Sequence, residues 1–263
     1  MNQIVKRDQL IKEWIYVAAD ISRTSFEQTI NIEEKTNRTD LVTSIDKEIE
    51  QYFIEKIATH FPNERVLGEE GSGHQITDLK GVVWIIDPID GTLNFVKQKN
   101  DFAIMISVYE NGIGYLGYIY DVMKDELYSA VKNQGACLNE IPLKKVKDIP
   151  LREGLVAVSH RLMSSEKNDE ARKIGRASSG VRMVGSAGLE TARVATGRLV
   201  AYIGASLAPW DIGAGKVISE ELGLIYTQLN GEKIDMLHYN KTIVATPSAH
   251  KEIIEKFKLD KEG

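Results

Sequence analysis

Hydrophobic residues recur at helical spacing in two segments near the N-terminus. Residues 9–19 place Leu10, Trp14 and Val17 on one stripe, which predicts an amphipathic helix. Residues 41–61 show the same spacing and predict a second helix that ends before Pro62. The segment between them, residues 33–40, is rich in threonine, asparagine and charge, and it predicts a loop.

Shorter apolar segments follow and predict strands. Residues 81–86 form a β-branched run that the Asp-Pro pair after it should end, which is typical of a buried strand. The segments 103–109, 114–120 and 126–131 predict an antiparallel meander, with turns at Asn111-Gly112 and Met123-Lys124.

The second half of the chain, from about Leu143, mixes helices and strands. Strands are predicted at 155–159, 199–203 and 242–246, and helices at 186–196, 212–222 and from Ser248, as the capping residue, to 257. This mixture predicts a layered α/β or α+β fold. We expect two halves, residues 1–142 and 143–263, that form one compact catalytic unit.

Composition excludes several classes of protein. Hydrophobic residues make up 43% of the chain, which suits a folded core. The 33 basic and 38 acidic side chains give a net charge of −5, which argues against nucleic-acid binding. There is no signal-like N-terminus and no apolar run long enough to span a membrane. The lone Cys137 excludes an intrachain disulfide, and we expect a cytoplasmic protein.

The most informative segment is residues 87–92, with the sequence Asp-Pro-Ile-Asp-Gly-Thr. Asp87 and Asp90 follow a buried strand, where ligands gather in α/β proteins, and carboxylates are preferred ligands of Mg²⁺. Gly91 permits close approach of the backbone to a ligand, and a helix beginning there would offer amides to a phosphate. An ordinary turn explains the same residues, since Asp, Pro and Gly are common in turns.

Further acidic residues fit the same site, although each has a simpler explanation alone. Glu69 and Glu70 lie between glycines, as in a solvated turn, and Asp211 precedes a predicted helix, as an N-cap would. Asp40 and Asp46 flank a short apolar segment, where one of them could cap a helix. The five histidines lack metal-ligand spacing, so an oxygen-only site favours magnesium or manganese over zinc.

Taken together, these segments resemble the inositol monophosphatase family of the lithium-sensitive phosphatase superfamily. Five blocks carry the resemblance, in the family's order: residues 40–46 (Asp-Leu-Val-Thr-Ser-Ile-Asp), 68–70 (Gly-Glu-Glu), 84–95 (Trp-Ile-Ile-Asp-Pro-Ile-Asp-Gly-Thr-Leu-Asn-Phe), 184–187 (Val-Gly-Ser-Ala) and 210–214 (Trp-Asp-Ile-Gly-Ala). The third block is highly specific. The resemblance implies an αβαβα sandwich of the sugar-phosphatase type, often a homodimer.

The resemblance also implies a set of metal ligands. Glu69, Asp87 and the Ile89 carbonyl would hold one Mg²⁺. Asp87, Asp90 and Asp211 would hold a second, and Glu69 would reach a third, weaker ion through waters. Manganese could substitute, whereas calcium and lithium should inhibit.

Catalytic and substrate-binding roles follow from the same resemblance. Thr92 and Asp46 match the pair that orients the attacking water, and Lys35 matches a basic residue near that water. Glu69 is included among the implied catalytic residues. A small phosphorylated metabolite is the implied partner, with no nucleic acid and no membrane. The implied substrate-binding residues are Asp90, Gly91, Thr92, Gly185, Ser186, Ala187 and Asp211.

Two alternatives compete with this interpretation. A haloacid dehalogenase-type phosphatase needs two aspartates separated by one residue, whereas two residues separate Asp87 and Asp90. A non-catalytic homologue that senses metal or phosphate should have lost a ligand or the water-positioning residue, and all of these positions are filled here.

The substrate stays open within the superfamily: an inositol phosphate, fructose bisphosphate, NADP(H) or phosphoadenosine phosphate. The motif form and chain length are most similar to the inositol monophosphatase branch. Gly204 stands where inositol-preferring members have a glutamate that contacts the inositol hydroxyls. We therefore expect relaxed specificity and room for a bulkier leaving group, unless Ser206 or a neighbour takes over the hydroxyls.

Overall fold

The computed structural model describes residues 3–28, 31–37, 40–71, 75–164 and 169–259. Within these residues the helices are α1 (Gln3–Ser25), α2 (Ser44–His60), α3 (Thr92–Gln98), α4 (His160–Met163), α5 (Asp169–Ala177), α6 (Ala187–Ala195), α7 (Pro209–Glu221) and α8 (Pro247–Leu259). A single 3₁₀ turn spans Leu151–Glu153.

The described strands form three sheets. They are β1 (Ile32–Asn37), β2 (Asp40–Thr43), β3 (Arg65–Gly68), β4 (Val82–Asp90), β5 (Ala103–Glu110), β6 (Ile113–Asp121), β7 (Glu126–Val131), β8 (Gly135–Leu138), β9 (Ile141–Pro142), β10 (Leu155–Val158), β11 (Gly180–Arg182), β12 (Ala201–Leu207), β13 (Ile225–Gln228) and β14 (Asn240–Ala245).

The larger sheet has seven strands in the order β3-β4-β5-β6-β7-β8-β9. Only β3 and β4 are parallel, and every later pair is antiparallel, so the predicted meander is confirmed. Its first turn contains Asn111 and Gly112, both with positive φ (50° and 78°), the backbone that a tight hairpin turn requires.

The smaller sheet has five strands in the order β11-β10-β12-β14-β13. The first three strands run parallel, whereas β14 runs antiparallel to both β12 and β13. All strands of the seven-stranded sheet lie before residue 143, and all strands of the five-stranded sheet lie after residue 154.

Helices separate and cover the two sheets. Helices α1 and α2 pack on one face of the seven-stranded sheet through a core that includes Trp14, Phe53 and Trp84. Helices α6 and α7 lie between the two sheets, and α5 and α8 cover the outer face of the five-stranded sheet. The five layers form an αβαβα sandwich, which confirms the predicted fold class.

The segment predicted as a loop, residues 33–40, is wrong in part. Strands β1 and β2 form a separate hairpin in which Glu33 pairs with Val42 and Glu34 with Leu41. The described side chains of β1, at residues 32–35, are exposed, so its pairing with β2 rather than a buried face defines the strand. The second helix consequently begins at Ser44, three residues after the predicted start at residue 41, and Thr43 is its N-cap.

Other boundaries also differ from the sequence-based prediction. Helix α1 spans Gln3–Ser25 rather than residues 9–19, and α7 begins at Pro209 rather than at residue 212. Strand β4 does not stop at Pro88 but continues to Asp90 through an irregularity in register. Strand β12 begins at Ala201 and runs to Leu207, beyond the predicted end at residue 203. Ser248 does not cap α8, because the helix already includes Pro247 and the Ser248 side chain bonds Asp148 instead.

No helix among the described residues is long and apolar enough to cross a membrane.

Candidate active site

Two neighbouring strands place acidic residues at one edge of the seven-stranded sheet. Strands β3 and β4 run parallel, with Gly68 paired to Ile86. Glu69 follows directly after β3, and its amide donates to the Ile86 carbonyl over 3.3 Å. Glu69 and Asp87 therefore emerge side by side, as expected where the carboxyl ends of parallel strands meet.

A β-bulge turns the end of β4 so that two aspartates face one site. Asp87 pairs with Met105 and Asp90 with Ala103, so β4 carries one residue more than its partner strand between these pairs. Pro88 lies in the bulge, where no ladder hydrogen bond from its nitrogen is needed. The Ile89 amide donates to the Asp87 carboxylate over 3.1 Å and holds the bulge in shape.

The second half of the chain contributes Asp211, in the first turn of α7. The N-cap of α7 is Ala208, so the N-cap explanation for Asp211 is wrong, although one oxygen of Asp211 accepts the Ala208 amide over 2.7 Å. Carboxylate oxygens of Asp87, Asp90 and Asp211 nevertheless lie within 4.8 Å of one another. The fold thus brings the Asp211 carboxylate, from the second half of the chain, to the two aspartates at the end of β4.

The electrostatics of this cluster favour a bound cation. Burial, followed by the charges of Glu69, Asp90 and Asp211, raises the pKa of Asp87 well above its usual value. Burial, followed by the charges of Asp90 and Glu69, likewise raises the pKa of Asp211. Buried carboxylates at such distances repel one another, and divalent cations would reverse this effect. The donor set contains only oxygen, so it fits Mg²⁺.

Thr92 and Asp46 lie beside the carboxylate cluster. The Thr92 hydroxyl lies 3.1 Å from one oxygen of Asp46 and 3.0 Å from the Ile89 carbonyl, so its single proton can serve either acceptor. The other oxygen of Asp46 accepts from the amide and hydroxyl of Thr43 in a capping box at the start of α2. Burial raises the pKa of Asp46 to about 6, although the Thr43 hydrogen bonds oppose this shift.

The capping role considered for Asp46 is therefore real, and it coexists with the contact to Thr92. The Asp40 side chain, the alternative cap, lies outside the described residues, as does His74.

Lys35 reaches the site from the hairpin that the sequence did not predict. Its ammonium lies 2.9 Å from Glu69 and 2.6 Å from Glu70. Burial alone would lower the pKa of Lys35, but the two carboxylates raise it overall. Lys35 is thus a fixed positive charge at the entrance of the acidic cluster.

The predicted substrate loop packs against Asp90. The Ser186 hydroxyl and the Ala187 amide both donate to the Asp90 carboxylate, the latter over 3.1 Å, and the Gly188 amide adds a bond of 2.7 Å. Gly91 has φ of 91°, and a Cβ there would lie 3.3 Å from Ser186 Cβ. Two of the predicted substrate residues, Ser186 and Ala187, thus direct donors toward a carboxylate, whereas Gly185 is exposed beside them.

Two glutamates that support the site were not predicted from sequence. Glu50 is fully buried and accepts the Glu70 amide over 2.8 Å, in space that a side chain at Gly68 would fill. Glu190, on α6, accepts the Val184 amide over 2.5 Å and so fixes the loop before Ser186.

A signal for both residues was present in the sequence. Glu50 lies four residues after Asp46 and three before Phe53, on the buried stripe of an amphipathic helix. Glu190 is the only acid in a helix whose other buried residues are small or apolar. An acid on a buried stripe needs a specific partner, because burying an unpaired charge is costly.

Comparison with known proteins decides the family. The model of the inositol monophosphatase family matches residues 6–261. The chain belongs to the inositol monophosphatase family. An inositol-1-monophosphatase of Bacillus subtilis is 44% identical over 260 residues, which cover 98% of each chain. A fructose-1,6-bisphosphatase/inositol-1-monophosphatase of Thermotoga maritima is 31% identical and covers 86% of this chain and 85% of its own.

Solved structures of the family agree in fold. An IMPase/NADP phosphatase complexed with Mg²⁺ and phosphate has a TM-score of 0.90 and 32% identity, with 97% of this chain and 96% of that one covered. A staphylococcal inositol monophosphatase in a LiCl-soaked inhibitory complex has a TM-score of 0.91 and 33% identity, with 96% and 94% covered.

Family membership and the sandwich fold are confirmed by these comparisons, and the protein is a phosphomonoester hydrolase of the inositol monophosphatase family. The individual roles predicted for the site residues stay predictions.

Proposed function

We propose that this family member hydrolyses small phosphomonoesters in a Mg²⁺-dependent reaction at the cluster of Glu69, Asp87, Asp90 and Asp211, with inositol 1-phosphate as a substrate. The observation that carries the proposal is the close approach of the Asp87, Asp90 and Asp211 carboxylates beside the Thr92–Asp46 pair. An oxygen-only acidic cluster and an oriented hydroxyl are the parts that metal-assisted hydrolysis requires.

The proposed ligands divide into two sets. Glu69, Asp87 and the Ile89 carbonyl would hold one ion, and Asp87, Asp90 and Asp211 a second, with Glu69 reaching a weaker third ion through waters. Ions held by these residues would supply positive charge against the phosphate, a lowered pKa of bound water and stabilisation of the leaving oxygen. We expect Mn²⁺ to substitute, and Ca²⁺ to inhibit because its larger, looser coordination shell spoils the geometry.

The residues of the chain would orient the nucleophilic water. The Thr92 hydroxyl would donate its hydrogen bond to the Asp46 carboxylate. The lone pairs of the Thr92 oxygen are then free to accept a hydrogen bond from the water. The proposed water attacks phosphorus in line, without a phosphoenzyme. The Lys35 ammonium, held by Glu69 and Glu70, adds positive charge beside the water and the incoming phosphate.

Further contacts would hold the substrate. We assign phosphate binding to the amides of Gly91 and Thr92 at the start of α3, where partial positive charge accumulates. The exposed Gly185, with Ser186, Ala187, Asp90 and Asp211, would border the leaving group. Within the same reaction, NADP(H) 2′-phosphate and fructose 1,6-bisphosphate are alternative substrates, in line with the names of two similar proteins.

A phosphate-release assay tests the proposal. We expect release from inositol 1-phosphate with Mg²⁺ and none with EDTA, and a parallel panel of NADP, fructose 1,6-bisphosphate and phosphoadenosine phosphate ranks the substrates. Absence of release from every member with Mg²⁺ would favour the non-catalytic alternative.

Assembly and location complete the proposal. We propose two halves, residues 1–142 and 143–263, that act as one catalytic unit, because Asp211 comes from the second half and the other carboxylates from the first. We also propose a homodimer, following the family resemblance, and a cytoplasmic location, which suits the lone Cys137. Sedimentation velocity and cell fractionation test these two points.

A further inference from the structure

A pocket of about 580 Å³ opens where β12 ends, and none of the residues considered so far for metal binding or catalysis lines it. Its buried floor consists of Leu162, Ala205 and Asn240, and its exposed rim includes Ser206. This volume lies within the range that small-molecule sites occupy.

The rim carries two positive charges, Arg161 and Lys241. Both side chains are exposed, and neither has a hydrogen-bond or ion-pair partner among the described residues. By contrast, Lys35 at the candidate active site pairs with Glu69 and Glu70. Two unpaired cations on one rim, in a protein of net charge −5, form an anion-attracting surface.

The pocket adjoins the candidate active site along a short segment of chain. Ser206, on the rim, and Asp211, in the carboxylate cluster, are only five positions apart in sequence. Trp210, next to Asp211, packs edge-on against the rim residue Tyr239, with ring centroids 6.4 Å apart. A substrate whose phosphate occupies the carboxylate cluster would therefore extend its leaving group toward this pocket.

The rim is held in place before any ligand arrives. The Asn240 amide group donates to the carbonyls of Asp235 and His238 over 2.8 and 2.7 Å, and its oxygen accepts the Asp235 amide over 3.0 Å. These three bonds fix the turn that carries Tyr239. A fixed turn reduces the entropy lost on binding.

We propose that Arg161 and Lys241 bind a second phosphate group on the leaving portion of the substrate, so that this family member prefers phosphomonoesters with two phosphates. The inference rests on the proposed function and extends it to substrate class. Arg161 can bind phosphate oxygens in bidentate fashion, and Lys241 adds a point charge. A polyol such as inositol, with no second anion, gains nothing from either residue.

The second phosphate could belong to a sugar bisphosphate or to a nucleotide. The exposed Tyr239 ring should distinguish these two sources. A planar base can stack on the ring, whereas a sugar would gain less binding energy from it. Tyr239→Ala should weaken only a nucleotide substrate.

The test compares kcat/KM for inositol 1-phosphate, fructose 1,6-bisphosphate and adenosine 3′,5′-bisphosphate in the Mg²⁺-loaded enzyme. The variants are Arg161→Gln, Lys241→Gln and Tyr239→Ala, with Lys251→Gln on the exposed face of α8 as the matched charge control. For at least one bisphosphate, each loss of charge should lower kcat/KM about tenfold or more, mainly through KM. The kcat/KM for inositol 1-phosphate should change less than about twofold in these variants, because the proposed contacts of Arg161 and Lys241 are with the second anion only.

Two results would overturn the inference. One is equal loss for inositol 1-phosphate and both bisphosphates, and the other is no loss for either bisphosphate while inositol 1-phosphate is hydrolysed normally. Calorimetric titration of adenosine 3′,5′-bisphosphate and of fructose 1,6-bisphosphate in Ca²⁺ adds a readout independent of turnover. If no variant loses affinity in this titration, the second-phosphate site is refuted, whether or not any substrate is hydrolysed. Absence of hydrolysis by itself contradicts only the proposed function.

Discussion

The Thr92 hydroxyl lies 3.1 Å from a carboxylate oxygen of Asp46, although the two residues are 46 positions apart in sequence. Asp46 is fully buried and Thr92 nearly so. The same aspartate closes the capping box of α2 through Thr43. One carboxylate thus stabilises a helix with one oxygen and orients a candidate catalytic hydroxyl with the other.

This geometry predicts different effects for substitutions of the two residues. Thr92→Ala should lower kcat about 100- to 10,000-fold, the usual contribution of a proton-transferring or positioning group. It should leave the melting temperature nearly unchanged, whereas Asp46→Ala should also cost about 1 kcal/mol through the lost cap. Steady-state kinetics and thermal melts on the same samples separate the two effects.

Thr92→Ser is the matched control, since it keeps the hydroxyl and should retain most of the activity. A Thr92→Ala enzyme with normal turnover would remove Thr92 from the mechanism.

Replacing Asp87 with asparagine should change the melting temperature in opposite directions with and without metal. Asp87→Asn should lower kcat/KM by more than about 1,000-fold, because several kcal/mol of transition-state stabilisation depend on the ions it would hold. In EDTA at pH 8 the variant should melt higher than the wild type, because one buried charge leaves a repelling cluster. In Mg²⁺ the order should reverse, because binding stabilises the wild type more.

Melting curves of both proteins in EDTA and in 5–10 mM Mg²⁺, about the concentration where weak sites fill, check this reversal. If the wild type melts higher in EDTA as well, repulsion within the cluster does not govern the metal-free stability.

Activity should require a divalent cation of the right size. We expect EDTA to abolish phosphate release, Mg²⁺ to restore it, and Ca²⁺ to restore little, since Mg²⁺ demands octahedral geometry that Ca²⁺ does not keep. Li⁺ should inhibit, as in the staphylococcal relative with the LiCl-soaked inhibitory complex. Equal rates with Mg²⁺ and Ca²⁺ in a phosphate-release assay would contradict the proposed coordination.

Much of the site could be predicted from sequence, because its residues occur in dense local motifs. Residues 87–92 contain two acids, a glycine with positive φ and a threonine in consecutive order, and β4 with its bulge aims them at one point. The helices with clear periodicity, α1 and α2, were found, although their ends were misplaced.

What the sequence did not reveal depends on pairing between distant segments. Strand β1 has no hydrophobic face, so its hairpin with β2, and with it the position of Lys35, left no periodic signal. The buried stripe marks Glu50 and Glu190 as acids that need partners, but it does not show that the Glu70 and Val184 amides are among those partners.

Glu190 predicts a pH dependence of stability. Burial raises its pKa from 4.5 to about 7, although the Val184 amide opposes the shift. Since the folded state holds the proton more tightly, wild-type stability should fall as pH rises from about 4.5 through about 7. Glu190→Gln keeps an acceptor for the Val184 amide and carries no charge, so it should lack this component.

The difference in unfolding free energy between Glu190→Gln and the wild type, from urea titrations in Mg²⁺ at pH 5 and pH 8, checks this expectation. The unfolding free energy of the variant minus that of the wild type should be larger at pH 8 than at pH 5. A difference that is constant with pH would show that Glu190 ionises normally in the fold.

Gly204 does not provide the open space that its small size suggested. A Cβ at this position would lie 2.7 Å from Leu207 Cδ1 and 2.9 Å from the Thr242 hydroxyl oxygen. The register shift in β12 between Gly204 and Leu207 brings the Leu207 side chain back over the glycine. The expected room for a bulkier leaving group is therefore not at Gly204. Ser206, two residues further on, instead lines the pocket beside it.

Gly204→Glu should consequently fail to restore inositol preference by itself. Overpacking against Leu207 should cost about 1–3 kcal/mol, which corresponds to a fall of about 2–4 °C in melting temperature per kcal/mol. In Gly204→Glu/Leu207→Ala the clash is relieved, so stability should partly recover, and the new carboxylate can turn toward a substrate hydroxyl. Only this double variant should lower KM for inositol 1-phosphate, with Leu207→Ala alone as the control. If Gly204→Glu melts like the wild type and already lowers that KM, Leu207 moves aside freely and steric filling does not explain the glycine.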